Sequence, residues 1–111
     1  MKELTYYQSL IHVTGTAATS GDNTLIAAPG VGRQIVISGL VIQNESSTST
    51  TAILKFGSTA KMRTLLVSQG DGIVRDLEPA WEVGANTALV LNLSGANSHG
   101  YSISYWIDGA Q

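Results

Sequence analysis

Apolar and polar residues alternate with a period of two along most of this chain, and the alternation restarts after each cluster of glycine, proline or small polar residues. In the C-terminal run YSISYWID, Tyr101, Ile103, Tyr105 and Ile107 fall on one side. Ser102, Ser104 and Asp108 fall on the other, where Trp106 interrupts them. The run TALVLNLS repeats the pattern with Leu89, Leu91 and Leu93. Such alternation marks strands with one buried face. Beyond Ile11, no stretch carries the 3.6-residue apolar stripe of a helix.

The run RQIVISGLVIQN is apolar on both parities. Burial on both faces is one explanation. An extra residue at Ser38-Gly39 is another: it flips the register, so that Ile35 and Ile37 share a face with Leu40 and Ile42. ESSTSTT then predicts a polar hairpin loop, and AILKF returns with Ala52, Leu54 and Phe56 inward and Lys55 outward. Shorter strands are expected over 23–28, 62–68 and 73–77, separated by APGVG, GSTA and QGDG. Seven or eight strands at this spacing predict an all-β fold, an antiparallel β-sandwich of jelly-roll type.

The first 21 residues stand apart. LTYYQSLIHV is densely apolar, and TGTAATSGD reads as a small-residue linker to a sandwich over 22–111. Two readings stay open. Residues 4–13 form the first strand, or the segment is an arm that adds to a neighbour by strand augmentation or by burying Leu4, Tyr6, Tyr7, Leu10 and Ile11.

Composition narrows the function. Only 13% of residues are charged, against roughly 25% in an ordinary soluble domain. A surface so short of charge is expected to meet other subunits. Net charge is −2 and the six basic residues are scattered. Lys61 and Arg63 could share a strand face, but two cations make no phosphate track, so no nucleic-acid partner is expected. No run approaches the ~18 apolar residues of a membrane helix, so no membrane partner is expected either. No apolar stretch of a secretory leader follows Met1-Lys2-Glu3. The chain has no cysteine, which excludes disulfides and thiolate-bound metals.

Candidate chemistry is thin. His12 and His99 lack a metal-ligand spacing, and Ser98-His99 lacks the Gly-x-Ser-x-Gly context of a nucleophile. His99, in NSHG, is expected in an exposed turn. Asp76, Glu78 and Glu82 could supply the paired carboxylates of a glycosidase, but acids beside Pro79 fit a solvated edge better. QGDG lacks the ligand pattern of a calcium loop, and PGVG lacks the lysine of a phosphate loop. No catalytic, cofactor-binding or metal residues are therefore expected, and no enzyme. Trp81, between Glu78 and Glu82, suits an aromatic plug better than an exposed sugar platform. Trp106, on a polar face, suits an interface.

The succession GDNTLIAAPGVGRQIVISGLVIQN, AILKFGS, PAWEVGANTALVLNLSG and GYSISYW resembles small phage-encoded β-sandwich virion proteins. These include head-decoration (cement) proteins and head- or tail-fibre domains. The features are Thr24 to Ala28, the Gly32-Arg33 turn, Ile35 to Ile42, Trp81, and Gly84 through Ser94. The resemblance implies a jelly-roll sandwich, commonly a homotrimer, docked on the major capsid protein. Its place would be the capsid surface of a virion assembled in the bacterial cytoplasm. Alternatives are a receptor- or glycan-binding fibre domain, with Trp81, Asp76 and Glu82 lining a shallow site, or another minor structural virion protein.

Overall fold

A computed structural model describes residues 10–109. Its strands are β1 (Ile11–Ala17), β2 (Gly21–Ile26), β3 (Arg33–Asn44), β4 (Thr50–Phe56), β5 (Thr59–Leu66), β6 (Gly72–Ala85), β7 (Leu89–Leu93) and β8 (His99–Gly109). They form two four-stranded sheets, β1-β8-β3-β6 (sheet 1) and β2-β7-β4-β5 (sheet 2). The pairs β4–β5, β3–β6, β2–β7 and β1–β8 nest like one long hairpin, and successive pairs alternate between sheets. Lateral pairing of β3 with β8 and of β4 with β7 closes each sheet. That order is a jelly roll.

Alternation fills the space between the sheets. Ile103 on β8, Leu89, Leu91 and Leu93 on β7, and Ala52 and Leu54 on β4 all join the core, with Tyr101, Tyr105 and Ile107 packed against it. The β3 register shifts between Ile37 and Gly39 against both of its neighbours, leaving Ser38 as the extra residue. Its hydroxyl donates to the Ser104 carbonyl (3.2 Å). Ile35 and Ile37 before the bulge and Leu40 and Ile42 after it consequently all enter the core. Ser38 thus explains the double-parity run.

Two expectations change. ESSTSTT is no hairpin loop, because β3 and β4 lie in different sheets and the segment crosses between them. Buried Asn44 holds the crossing: its amide donates to the Thr48 and Leu66 carbonyls (2.9 and 3.1 Å) and its oxygen accepts from Ser46 N–H (2.9 Å). The linker reading of TGTAATSGD also gives way over Thr14 to Ala17, which pair along β8 within β1. Gly15 makes room there for the Tyr101 ring, since a Cβ would lie 2.6 Å from the phenol oxygen. Leu4, Tyr6 and Tyr7 lie outside the described residues, and Leu10 is the first described, half-buried.

Candidate assembly face

Pairing registers fix what each sheet turns outward, because opposed residues share a face. On sheet 1 one outward row runs Thr14, Ser102, Val41, Val74. Its neighbours run Thr16, Gly100, Gln43, Gly72 and His12, Ser104, Gly39, Asp76. Val74 is 76% exposed and Val41 is also exposed. None of these twelve positions is a lysine or arginine, and Asp76 alone is an acid. The result is a surface mostly of glycine, serine, threonine and valine, with Gln43, His12 and Asp76 among them and the Glu45 carboxylate lying over Gly100 at one margin.

Sheet 2 differs. Its outward rows run Asp22, Asn92, Ile53, Arg63 and Thr24, Val90, Lys55, Ala60. Lys55 Nζ lies 3.1 Å from Asp22, and the Asn92 amide donates to the same carboxylate at 2.7 Å. These bonds, Asn92 first and Lys55 second, hold the Asp22 carboxyl below its ordinary range, because both favour the ionised form.

Trp106 lies on the side that its parity gives, but it is covered. Alternation places it on the outer side of sheet 1, opposite Val36, yet it is only 7% exposed and Val36 is buried too. Neither belongs to the cluster between the sheets. They form an apolar spot apart from the central cluster, and Trp106 is already covered within the single chain.

Trp81 answers to the plug. The β6 register shifts between Asp76, opposite Gly39, and Trp81, opposite Ile37; within the intervening stretch Leu77 enters the core while Glu78 and Pro79 stay exposed, and Trp81 turns inward. There it packs half-buried against the core at the mouth between the β5 and β6 edges. The Phe56 ring meets it edge-on, with centroids 6.2 Å apart. Lys61 Nζ stands 4.8 Å from the ring centroid and the Arg75 guanidinium 5.8 Å, both within cation–π range. Lys61 and Arg63 do not share a face as expected: a register shift next to Lys61 sends it toward Trp81, whereas Arg63 pairs outward with Ile53.

The remaining candidates are dispersed. Asp76, Glu78 and Glu82 are exposed along β6, with the cis Glu78-Pro79 bond and the end of the bulge lying between the first two and Glu82. In QGDG the Asp71 carboxylate accepts from the Val67 and Ser68 amides (2.9 and 3.0 Å), which closes a turn. Among the described residues, no group of three or more His, Asp or Glu could hold a metal ion.

His12 is exposed on β1, with Nδ1 2.8 Å from the Ser104 hydroxyl. His99 corrects its expectation outright: it is fully buried as the first residue of β8, opposite Ala17 and Asn44. The turn closes two residues earlier, where the Asn97 carbonyl lies 2.8 Å from His99 Nδ1. A carbonyl only accepts, so Nδ1 carries the proton, while Nε2 is buried without a partner. Neither the depth of His99 nor the bulge at Lys61 has a signal in the sequence, since both depend on where pairing begins.

No family model matches the chain, and no curated protein matches its sequence. Among solved structures, it is similar to a subunit of the Bacillus endospore appendages, described as a novel family of disulfide-linked pili. The TM-score is 0.52 and the identity 14%, covering 93% of this chain and 90% of that one. It also overlaps the virus-like particle of the prawn Macrobrachium rosenbergii extra small virus (TM-score 0.47, 10% identity, 92% and 81% covered). The Tobacco streak virus coat protein follows (TM-score 0.38, 13% identity, 93% and 89% covered). At these identities the likeness is one of fold: the chain is an eight-stranded antiparallel sandwich of a kind also found in an appendage subunit.

Proposed function

We propose that the chain is a structural virion subunit, a capsid-decoration (cement) protein that docks as a homotrimer on the major capsid protein and stabilises the head mechanically. The observation that carries this reading is the outer face of sheet 1, where three adjacent rows hold one charged side chain among twelve positions. A face of that kind, with Val74 standing clear of it, gains by being covered. Three such contacts in a trimer would raise avidity well above one. The sequence resemblance to phage decoration proteins supports the same assignment. The likeness to a pilus subunit supports an assembling role with one physical difference. That pilus is described as disulfide-linked, and a chain without cysteine must hold its neighbours by non-covalent contact.

The glycan-binding alternative draws less support, because Lys61, Arg75 and Phe56 already occupy the surroundings of Trp81. The test uses capsids assembled without this chain. Wild-type protein co-sediments with them and saturates, and Val41→Lys with Val74→Lys lowers affinity at least 100-fold while the fold is retained. Failure of the wild type to bind rejects the decoration role. Full binding by the double variant moves the contact to another surface.

A further inference from the structure

Among the described residues four strands lie at sheet edges, namely β1 and β6 in sheet 1 and β2 and β5 in sheet 2. An edge exposes unpaired backbone N–H and C=O groups, and proteins guard edges with charge, proline or bulges. Three of the four are guarded. β6 carries Arg75, Asp76, Glu78 and Pro79 and shifts register twice against β3. β5 carries Lys61 and Arg63 with a shift between them and β4. β2 carries Asp22 and a shift between Thr24 and Ile26. β1 has none of these: it is IHVTGTA, without Asp, Glu, Lys, Arg or Pro, and it pairs with β8 through seven consecutive residues without a shift.

We propose that the free edge of β1 pairs antiparallel with β1 of a second copy about a two-fold axis, joining two four-stranded sheets into one of eight. The strand is self-complementary about Thr14. Reversal places Thr14 opposite Thr14, Val13 opposite Gly15, His12 opposite Thr16 and Ile11 opposite Ala17. On the inner side, each large residue therefore meets a small one. Threonine–threonine is a favourable cross-strand pair. Ile11, 40% exposed in the single chain, becomes covered. The contact is isologous and closes at two copies. It uses the backbone edge of β1, at the border of the outer face of sheet 1, and is a contact separate from the trimer proposed above. It holds whether or not the chain decorates a capsid, and in a trimeric subunit it joins one trimer to another.

The absence of native cysteine makes disulfide trapping in the full chain specific. Opposed Cβ atoms in such a pair lie about 4.5–5.5 Å apart, near the reach of a disulfide, whereas residues four positions out of register lie roughly 13 Å apart. Oxidised T14C is expected to run as a dimer of the 11.6 kDa chain. A mixture of H12C and T16C should also cross-link, and T16C alone should not. A second variant, Thr14→Lys, sets two ammonium groups against each other. It should lower the dimer fraction in sedimentation at least tenfold with an unchanged melting curve. The pairing is overturned by T14C that stays monomeric, by equal cross-linking of T14C and T16C, or by an unaltered dimer in Thr14→Lys. A disulfide between S9C and T14C in a mixed sample, with none in T14C alone, also overturns it and gives the edge to the leading segment of the neighbour.

Discussion

The two outer faces of this sandwich are built over the same kind of core and finished in opposite ways. Behind sheet 1 stand Ile35, Ile37, Leu40, Ile42 and Ile103; behind sheet 2 stand Ala52, Leu54, Leu89, Leu91 and Leu93. Outside, sheet 2 sets Asp22 against Lys55 and Asn92, and carries Arg63 beyond them. Its charges are placed to satisfy one another and water. Sheet 1 has no lysine or arginine on the matching rows and carries glycine, serine, threonine and exposed valine beside the acids Asp76, Glu82 and Asp108. Hydrophobicity alone does not separate the faces, since Leu65 on sheet 2 is 60% exposed. The distribution of lysine and arginine does. On the outer rows lysine and arginine thus fall to sheet 2, while the charges that sheet 1 turns outward are the acids Asp76, Glu82 and Asp108.

The comparison is tested hardest by a buried apolar residue on each outer face. Trp106 on sheet 1 and Val90 on sheet 2 are equally buried, yet neither joins the central cluster. Trp106→Ala removes a buried indole and is expected to cost about 3 kcal/mol or more. Val90→Ala removes two methyl groups and should cost about 1.5 kcal/mol. Urea unfolding followed by the fluorescence of Trp81, the only other tryptophan, measures the first, and either tryptophan reports the second. A loss under 1 kcal/mol for Trp106→Ala would mean that the outer spot of sheet 1 contributes no more than an ordinary surface position.

Much of this architecture was legible because period-two alternation reports directly on burial. The core sides of β7 and β8 and the bulge at Ser38 all follow from residue parity, and β3 runs over Arg33–Asn44 as its apolar pattern implies. What parity does not encode is which sheet a strand joins. ESSTSTT was read as a hairpin because polar loops close hairpins and crossings alike. For Trp106, parity gives the side of the sheet and says nothing of what lies above it, so its burial within the single chain is not legible. His99 was read as exposed because NSHG resembles a turn, although pairing with Ala17 and Asn44 starts at that residue.

Where the two sheets come together at the β5–β6 mouth, Trp81 offers a smaller effect that sharpens the same contrast. Half-buried, with its ring engaged by Lys61, Arg75 and Phe56, it is expected to contribute about 2 kcal/mol to folding. Urea unfolding of Trp81→Ala, followed through Trp106, should show that loss. Particle binding by the outer face of sheet 1 should be unchanged. A loss of binding with stability intact would make Trp81 a recognition residue and return weight to the glycan reading.

The smallest effect belongs to the charged side of the comparison. Asp22 accepts from the Asn92 amide (2.7 Å) and from Lys55 Nζ (3.1 and 3.3 Å). Both contacts favour the carboxylate, which lowers its pKa from the ordinary 3.8. A group depressed in the folded state adds stability that is fully present above the unfolded value. That stability drains away as pH falls through the lower folded value, so Asp22 matters only in the acid limb, below about pH 4. The site is open to solvent, so salt screens the Lys55 contribution while the short neutral bond from Asn92 persists. Carboxyl NMR titration should therefore show a larger upward shift in Asn92→Ala than in Lys55→Met, and the gap should widen when salt is added. If Lys55→Met produces the larger shift, the outer face of sheet 2 is held by charge pairing rather than by hydrogen bonding. In that case high salt should loosen the contact between Asp22 and Lys55 on sheet 2 and leave the glycine, serine and threonine rows of sheet 1 unchanged.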